Sequence, residues 1–256
     1  MLLAIDVGNT QTVIGAYDGE RLAHSWRVAT VKGQTGDEIR TTLSMLFLAD
    51  GFDVSAVDGA VLSSVVPRLT GAWERALERM LGVQVLVCSA ATAGDLFPAN
   101  YGNPAEVGAD RVADFIGARM RYGAPCVVVD FGTATNIELV DREGRFAGGI
   151  IAPGVETSAN ALFSLASKLT GTELVAPELP LGQSTDQAVR SGIVMGEADR
   201  VDGLVRRIFE QVGYTAPVVA TGGLAGVIAP LSSCITEVNP DLTLEGLRAL
   251  YEHKMA

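Results

Sequence analysis

Two short stretches of this sequence carry residue types suited to handling phosphate. Asp6-Val7-Gly8-Asn9-Thr10 follows the apolar run Leu2-Leu3-Ala4-Ile5, and Asp130-Phe131-Gly132-Thr133 follows Cys126-Val127-Val128-Val129. In each, a carboxylate stands where an apolar strand gives way to a small polar turn. Small residues let backbone N–H groups approach phosphate oxygens, and Asn9, Thr10 and Thr133 add side-chain donors. The two aspartates would repel phosphate unless a cation lay between them and the oxygens. A single turn of this kind reads more simply as a hairpin whose aspartate caps local N–H groups. Two copies, each after an apolar strand, favour the phosphate cradle. A third cluster, Ala220-Thr221-Gly222-Gly223-Leu224-Ala225-Gly226, has the pattern of strand, glycine turn and helix, where a phosphate or a flat ring can lie against backbone. No lysine follows a glycine and no GxGxxG is present, so the two commonest nucleotide loops are absent.

The elements that must position these residues repeat. Residues 1–6 and 12–17 form two apolar runs, the second ending in the turn signal Asp18-Gly19, and residues 24–29 supply a third strand. Helical spacing follows over residues 36–49, with Ile39, Leu43, Leu46 and Phe47 on one face. A strand over 56–66, a helix over 70–81, a strand over 83–88 and a helix over 109–121 complete the first half. At Pro125 the pattern restarts: apolar run, Asp-X-Gly, the second run 137–140, and the turn Asp141-Arg142-Glu143-Gly144. The aspartates lie 124 residues apart, which implies a duplicated α/β unit. The expected domains are 1–122 and 123–256, with the boundary within about ten residues of 121–125 and no low-complexity linker.

Composition narrows the partners. The 256-residue chain has 19 Lys and Arg against 30 Asp and Glu, a formal charge of −11. Nucleic-acid backbones are held by surplus cationic side chains, so no nucleic-acid partner is expected. Three dispersed cysteines, Cys88, Cys126 and Cys234, offer no CxxC motif and fit a reducing compartment. His24 and His253, the only histidines, leave little material for a zinc site or a Ser-His-Asp triad. Residues 211–236 carry no charge but hold four glycines and two prolines, which suits strand, turn and short helix better than a membrane span. The opening Met-Leu-Leu-Ala-Ile-Asp lacks the basic start of a signal peptide. A cytoplasmic protein without a membrane partner is expected.

The arrangement resembles the superfamily of sugar kinases, actin and heat-shock chaperones. Within it the chain is similar, essentially end to end, to type III pantothenate kinases. The residues that carry the likeness are Asp6-Val7-Gly8-Asn9-Thr10, Tyr101-Gly102-Asn103-Pro104-Ala105-Glu106-Val107-Gly108-Ala109-Asp110-Arg111 and Asp130-Phe131-Gly132-Thr133-Ala134-Thr135. Gly148-Gly149-Ile150-Ile151-Ala152-Pro153-Gly154, Leu181-Gly182-Gln183-Ser184-Thr185 and Ala220-Thr221-Gly222-Gly223 follow in the same order. The resemblance implies two tandem ribonuclease-H-like domains of the actin-like ATPase type, with the active site in the cleft between them. It implies that Asp6, Val7, Gly8, Asn9, Thr10, Gln11, Thr12 and Val13 form the first ATP phosphate loop and that Thr133 also contacts ATP. Asp130 takes the place of the ligand for an activating monovalent cation, K+ or NH4+, beside the Mg2+ that accompanies ATP. Tyr101, Gly108, Ala109, Asp110, Arg111 and Thr185 match the pantothenate contacts, with Asp110 as proton acceptor. The family's homodimeric state comes with the same resemblance. Gly102 stands where a larger polar residue is expected, and Arg190 where a glutamine is commoner.

The residues themselves are compatible with these roles. Phosphoryl transfer asks a protein chiefly to position reactants and neutralise charge, and Asp110 would orient the acceptor hydroxyl and take its proton late. Arg111 could reach anionic substrate oxygens or form a surface ion pair. Glu106 is placed to cap the helix that carries Asp110, and Trp26 and Trp73 read as packing residues. Two other functions stay open on the sequence alone: another small-molecule kinase or phosphohydrolase of the same superfamily, and a nucleotide-binding repressor. The repressor would need a helix-turn-helix and a basic surface, which this sequence does not offer.

Overall fold

The computed structural model describes residues 1–166, 169 and 171–255. They fall into two compact units: Met1–Arg121 with Leu242–Ala256, and Tyr122–Asp241.

The first unit opens with a three-stranded antiparallel meander, β1 (Leu2–Val7), β2 (Gln11–Asp18) and β3 (Arg21–Ala29). Gly19 sits at positive φ in the β2–β3 turn, as the Asp-Gly pair predicts. Helix α1 (Gly36–Ala49) starts at a capping box in which Thr35 and Glu38 satisfy each other's backbone N–H groups. β4 (Gly59–Ser64) then runs parallel to β1, and after α2 (Pro67–Leu81) β5 (Val85–Val87) runs parallel to β4. The sheet order is β3-β2-β1-β4-β5. α2 begins three residues before the expected start because Pro67 is itself its first residue, a position where the missing N–H is harmless. The expected strand over 56–66 shortens to β4, preceded by a 3-10 turn at Val54–Ala56 whose end Asp53 caps. A short α3 (Ala90–Ala93) leads through the 101–108 loop to α4 (Ala109–Tyr122).

The second unit repeats the plan. β6 (Cys126–Phe131), β7 (Ala134–Val140) and β8 (Phe146–Pro153) form the meander. β9 (Val218–Thr221) lies parallel to β6, β10 (Glu237–Val238) lies parallel to β9, and the order is β10-β9-β6-β7-β8. Between β8 and β9 come α5 (Val155–Leu165), α6 (Thr185–Arg190), a π-helical turn at Ser191–Met195 and α7 (Gly196–Val212); α8 (Ala225–Ile228) precedes β10.

Strand alternation assigns the faces. In the first unit Leu3, Ile5 and Val7 pack with Ile39, Leu43 and Phe47 of α1 and Leu69, Trp73 and Leu77 of α2. The alternate residues of β1, including Asp6, therefore look to the other face. That face is covered by α9 (Leu242–Met255), which packs on β1, β4 and β2. The final helix thus belongs to the first unit, whereas the sequence reading ran the second domain to residue 256. Helical spacing at 242–255 reveals an apolar stripe but not the sheet that receives it. α4 and α9 are joined by Thr243 Oγ1 donating to Asp114 Oδ1 at 2.6 Å and by Arg121 pairing with Glu245 at 2.8 Å.

Candidate active site

β1, β4 and β5 are parallel, so their carboxyl ends point the same way, the usual place for a ligand in such a sheet. Asp6 lies at that end of β1, in register with Ser63 of β4. Cys88 follows β5, and its thiol donates to the Ala109 carbonyl at 3.5 Å, tying the start of α4 to the strand. Asp110 occupies the first turn of α4, with Oδ1 accepting from the Arg111 backbone N–H at 2.7 Å. Gly108 explains how the carboxylate fits: a Cβ there would stand 2.6 Å from Asp110 Oδ1. Any side chain at 108 would push the carboxylate out of place.

The electrostatics follow from this crowding. Burial, then the nearby Asp110 charge, raises Asp6 to about 7, with the Ser63 hydroxyl and Arg27 working against the rise. Asp6 Oδ1 is sealed from solvent and has no hydrogen-bond partner. Asp110 is raised as well, first by burial, opposed by the Arg111 N–H and guanidinium. Burial, with Asp6, Asp110 and Asp114 adding to it, pushes the Cys88 thiol up, so it stays protonated. Arg111 is 8% exposed; it belongs to this buried cluster, which removes the surface ion-pair reading.

The turn after β1 is short and open. Asn9, Thr10 and Gln11 are exposed, and the Gly8 N–H donates to the Gln11 carbonyl at 3.0 Å. Arg27 holds the Gln11 side chain at 2.9 Å, while Thr12 turns inward to Thr30 at 2.9 Å. The exposed residues can therefore meet phosphate directly, whereas the Thr12 hydroxyl is engaged in shaping the turn. In the 101–108 loop, Tyr101 is exposed and Asn103 binds both the Ala105 N–H and the Glu106 carboxylate. Glu106 thus braces this loop; the expected cap on α4 is not formed by that bond.

In the second unit Asp130 pairs in register with Thr221 of β9, so the Thr-Gly-Gly cluster lies beside it. Gly222 has φ +89°, and a Cβ there would meet Asp130 Oδ1 and the Phe131 backbone, the latter at 2.7 Å. Thr133 projects from the turn, its carbonyl accepting from the Gly154 N–H at 3.1 Å and from Thr157 Oγ1 at 2.6 Å. Thr135 donates to the buried Glu197 at 2.6 Å; Arg200 pairs with Glu197 at 2.5 Å and donates to the Pro153 carbonyl at 2.7 Å. Thr185 opens α6 behind the Ser184 cap, and Arg190 pairs with Asp186 at 3.0 Å.

The sequence-derived residues therefore assemble into two sets, each within its own unit: Asp6, the turn after it and Asp110 in the first, Asp130 and Thr133 in the second. Ser63, Glu197 and Thr157 escaped the sequence reading, and Cys88 entered it only as one of three dispersed cysteines. Ser63 is visible in the sequence only as a hydroxyl residue late in an apolar run; that its strand lies beside that of Asp6 comes from the fold. Among the described residues, no group of three or more His, Cys, Asp or Glu could hold a metal ion.

Comparison with solved structures places the chain in a class. The activator of 2-hydroxyisocaproyl-CoA dehydratase from Clostridium difficile, solved with bound ADPNP, matches over 99% of this chain and 96% of its own, with TM-score 0.59 and 16% identity. The ROK hexokinase from Thermus thermophilus matches over 100% and 99%, with TM-score 0.52 and 15% identity. Both share the architecture, so the fold is α/β, a pair of tandem ribonuclease-H-like units of the actin-like ATPase type. Within that class, the sequence profile of the type III pantothenate kinases matches residues 2–207. The type III pantothenate kinases of Roseiflexus castenholzii and Moorella thermoacetica are 46% and 44% identical to this chain over 252 residues. Each alignment covers 98% of this chain, and 98% and 99% of the respective relative. The chain belongs to the type III pantothenate kinase family.

Proposed function

We propose that this kinase transfers the γ-phosphoryl group of ATP to pantothenate, giving 4'-phosphopantothenate, the first step of coenzyme A biosynthesis. The observation that carries the reading is the Asp110 carboxylate, held at the start of α4 by Gly108 and the Arg111 N–H and kept basic by burial. A carboxylate so placed can orient an alcohol and accept its proton as the phosphoryl group moves. Tyr101, Gly108, Ala109, Arg111 and Thr185 would hold pantothenate, Arg111 by its donors to the substrate carboxylate. Residues 6–13 would cradle the ATP phosphates through backbone N–H groups and the exposed Asn9 and Thr10, with Thr133 as a further contact.

A divalent ion such as Mg2+ suits Asp6, whose sealed and unpartnered Oδ1 is an oxygen donor of the kind that hard cations take. With no three-residue ligand cluster among the described residues, such an ion would draw most of its ligands from phosphate and water. When bound it would neutralise phosphate charge. Asp130, hemmed in by the Phe131 and Gly222 backbone, would serve a monovalent cation, K+ or NH4+. No helix among the described residues is long and apolar enough to cross a membrane, and the proposed working form is a cytoplasmic homodimer.

The test is a coupled ADP-release assay with ATP, Mg2+ and pantothenate, in potassium and in sodium. Release that requires pantothenate and is faster in potassium is expected. Release without pantothenate would replace the kinase by a hydrolase, and equal rates in the two salts would remove the cation from Asp130.

A further inference from the structure

We infer that Ser63 is a positioning residue for the nucleotide-bound divalent cation, its hydroxyl and the Asp6 carboxylate forming a paired oxygen set at the ends of β4 and β1. The inference rests on the nucleotide-binding part of the function proposed above. Ser63 is fully buried, and neither its Oγ nor Asp6 Oδ1 has a hydrogen-bond partner. The two residues are register partners on adjacent parallel strands, so they share a face of the sheet. The Ser63 hydroxyl is near enough to favour the ionised Asp6 carboxylate as a weak donor, yet neither Ser63 Oγ nor Asp6 Oδ1 gains a well-formed hydrogen bond.

Buried polar atoms are normally paired, and an unpaired hydroxyl beside an unpaired carboxylate oxygen is destabilising as it stands. An apolar residue at position 63 would avoid that cost, and the neighbouring Val61 and Leu62 show that the strand holds apolar side chains there. A hydroxyl can donate to a carboxylate while accepting from a cation-bound water, which an alanine cannot. The neighbouring Ser64 is spent locally, binding the Val66 N–H and Thr70 Oγ1; Ser63 is not. The duplicated half repeats the placement, with Thr221 of β9 in register beside Asp130. Two halves that differ widely in sequence thus both set a hydroxyl residue beside their strand-end aspartate.

The experiment is titration of the intact protein with ADP, in excess Mg2+ and again in EDTA, for wild type, Ser63→Ala and Ser63→Cys, with thermal midpoints alongside. A lost hydrogen bond to a charged group predicts that Ser63→Ala lowers the Mg2+-dependent gain in ADP affinity by about tenfold. Metal-free affinity and thermal midpoint should be unchanged or better. Ser63→Cys, close in volume with a weaker donor, should fall in between and guards against a packing effect of the smaller side chain. An unchanged Mg2+ gain in both variants overturns the inference, as does equal weakening with and without metal. Wild-type protein that binds Mg-ADP but fails to phosphorylate pantothenate would overturn the acceptor assignment alone and leave the Ser63 comparison decisive. Wild-type protein with no Mg2+-dependent ADP binding would overturn both.

Discussion

The two units share a strand order and a strand-end aspartate, yet the surroundings of those aspartates differ in almost every other respect. After Asp6 the turn spans residues 8–10; after Asp130 it spans 132–133. Beyond the hydroxyl residue on the neighbouring strand comes Ser64 in one unit and Gly222 in the other, and the glycine brings backbone against Asp130. Asp6 faces a second carboxylate, Asp110, and is raised to about 7, chiefly by burial. On the third strand, β3 supplies Arg27 to the turn, whereas β8 has no cationic residue. Duplication supplied the same frame twice; the first copy concentrates acid chemistry, and the second surrounds its acid with main chain.

The largest effect expected is on the group without a counterpart in the second unit. Asp110→Asn keeps the shape but cannot accept a proton, and kcat should fall by roughly 10²–10⁴ with the thermal midpoint held. Turnover near wild type would leave the asymmetry without catalytic meaning. Next comes Gly222→Ala, which adds a Cβ against Asp130 and the Phe131 backbone at a φ of +89°. It should abolish the potassium preference and lower stability by about 1–3 kcal/mol; a variant still activated by potassium would detach Gly222 from the Asp130 site.

Asp6 gives a pH test. Its folded-state value lies above the unfolded one, about 7 against 3.8. Between those values the folded chain holds a proton that the unfolded chain has lost, so this contribution to stability falls as pH rises through the window, by at most about 1.4 kcal/mol per pH unit. Asp6→Asn should flatten that slope and raise the midpoint of nucleotide-free protein at about pH 8, as seen by calorimetry at several pH values. An unchanged slope would mean that Asp6 is ionised throughout. Smallest is Arg27→Ala, which frees Gln11 and removes a distant cation; KM for ATP should rise less than about tenfold, in line with an exposed contact, while KM for pantothenate stays put.

Much of this was written in local signals. The spacing of Ile39, Leu43, Leu46 and Phe47 marks α1, Asp18-Gly19 marks a hairpin, and the two Asp-X-Gly turns disclose the repeat. Other features have no local signature. β10 is two residues long and both are exposed, so no periodicity can betray it. Thr135 and Asn136 are polar yet buried in β7, which hid the strand's first residues, since the partner of Thr135, Glu197, lies 62 positions further along the chain. The Ser63 register depends on which strands become neighbours. That is a property of topology, and no window of sequence contains it.

The placement of α9 carries a consequence for the order of manufacture. The segment that closes the β1 and β4 face of the first unit is made only after all of the second unit, residues 122–241. Domains usually mature in the order of synthesis. Here the first unit starts before the second and is completed after it, its acid-bearing sheet face left without this helix until residues 242–255 have been made. A nascent or truncated chain stopping before Leu242 would carry every residue assigned here to ATP and pantothenate, yet lack the helix that covers the Asp6 face of the sheet.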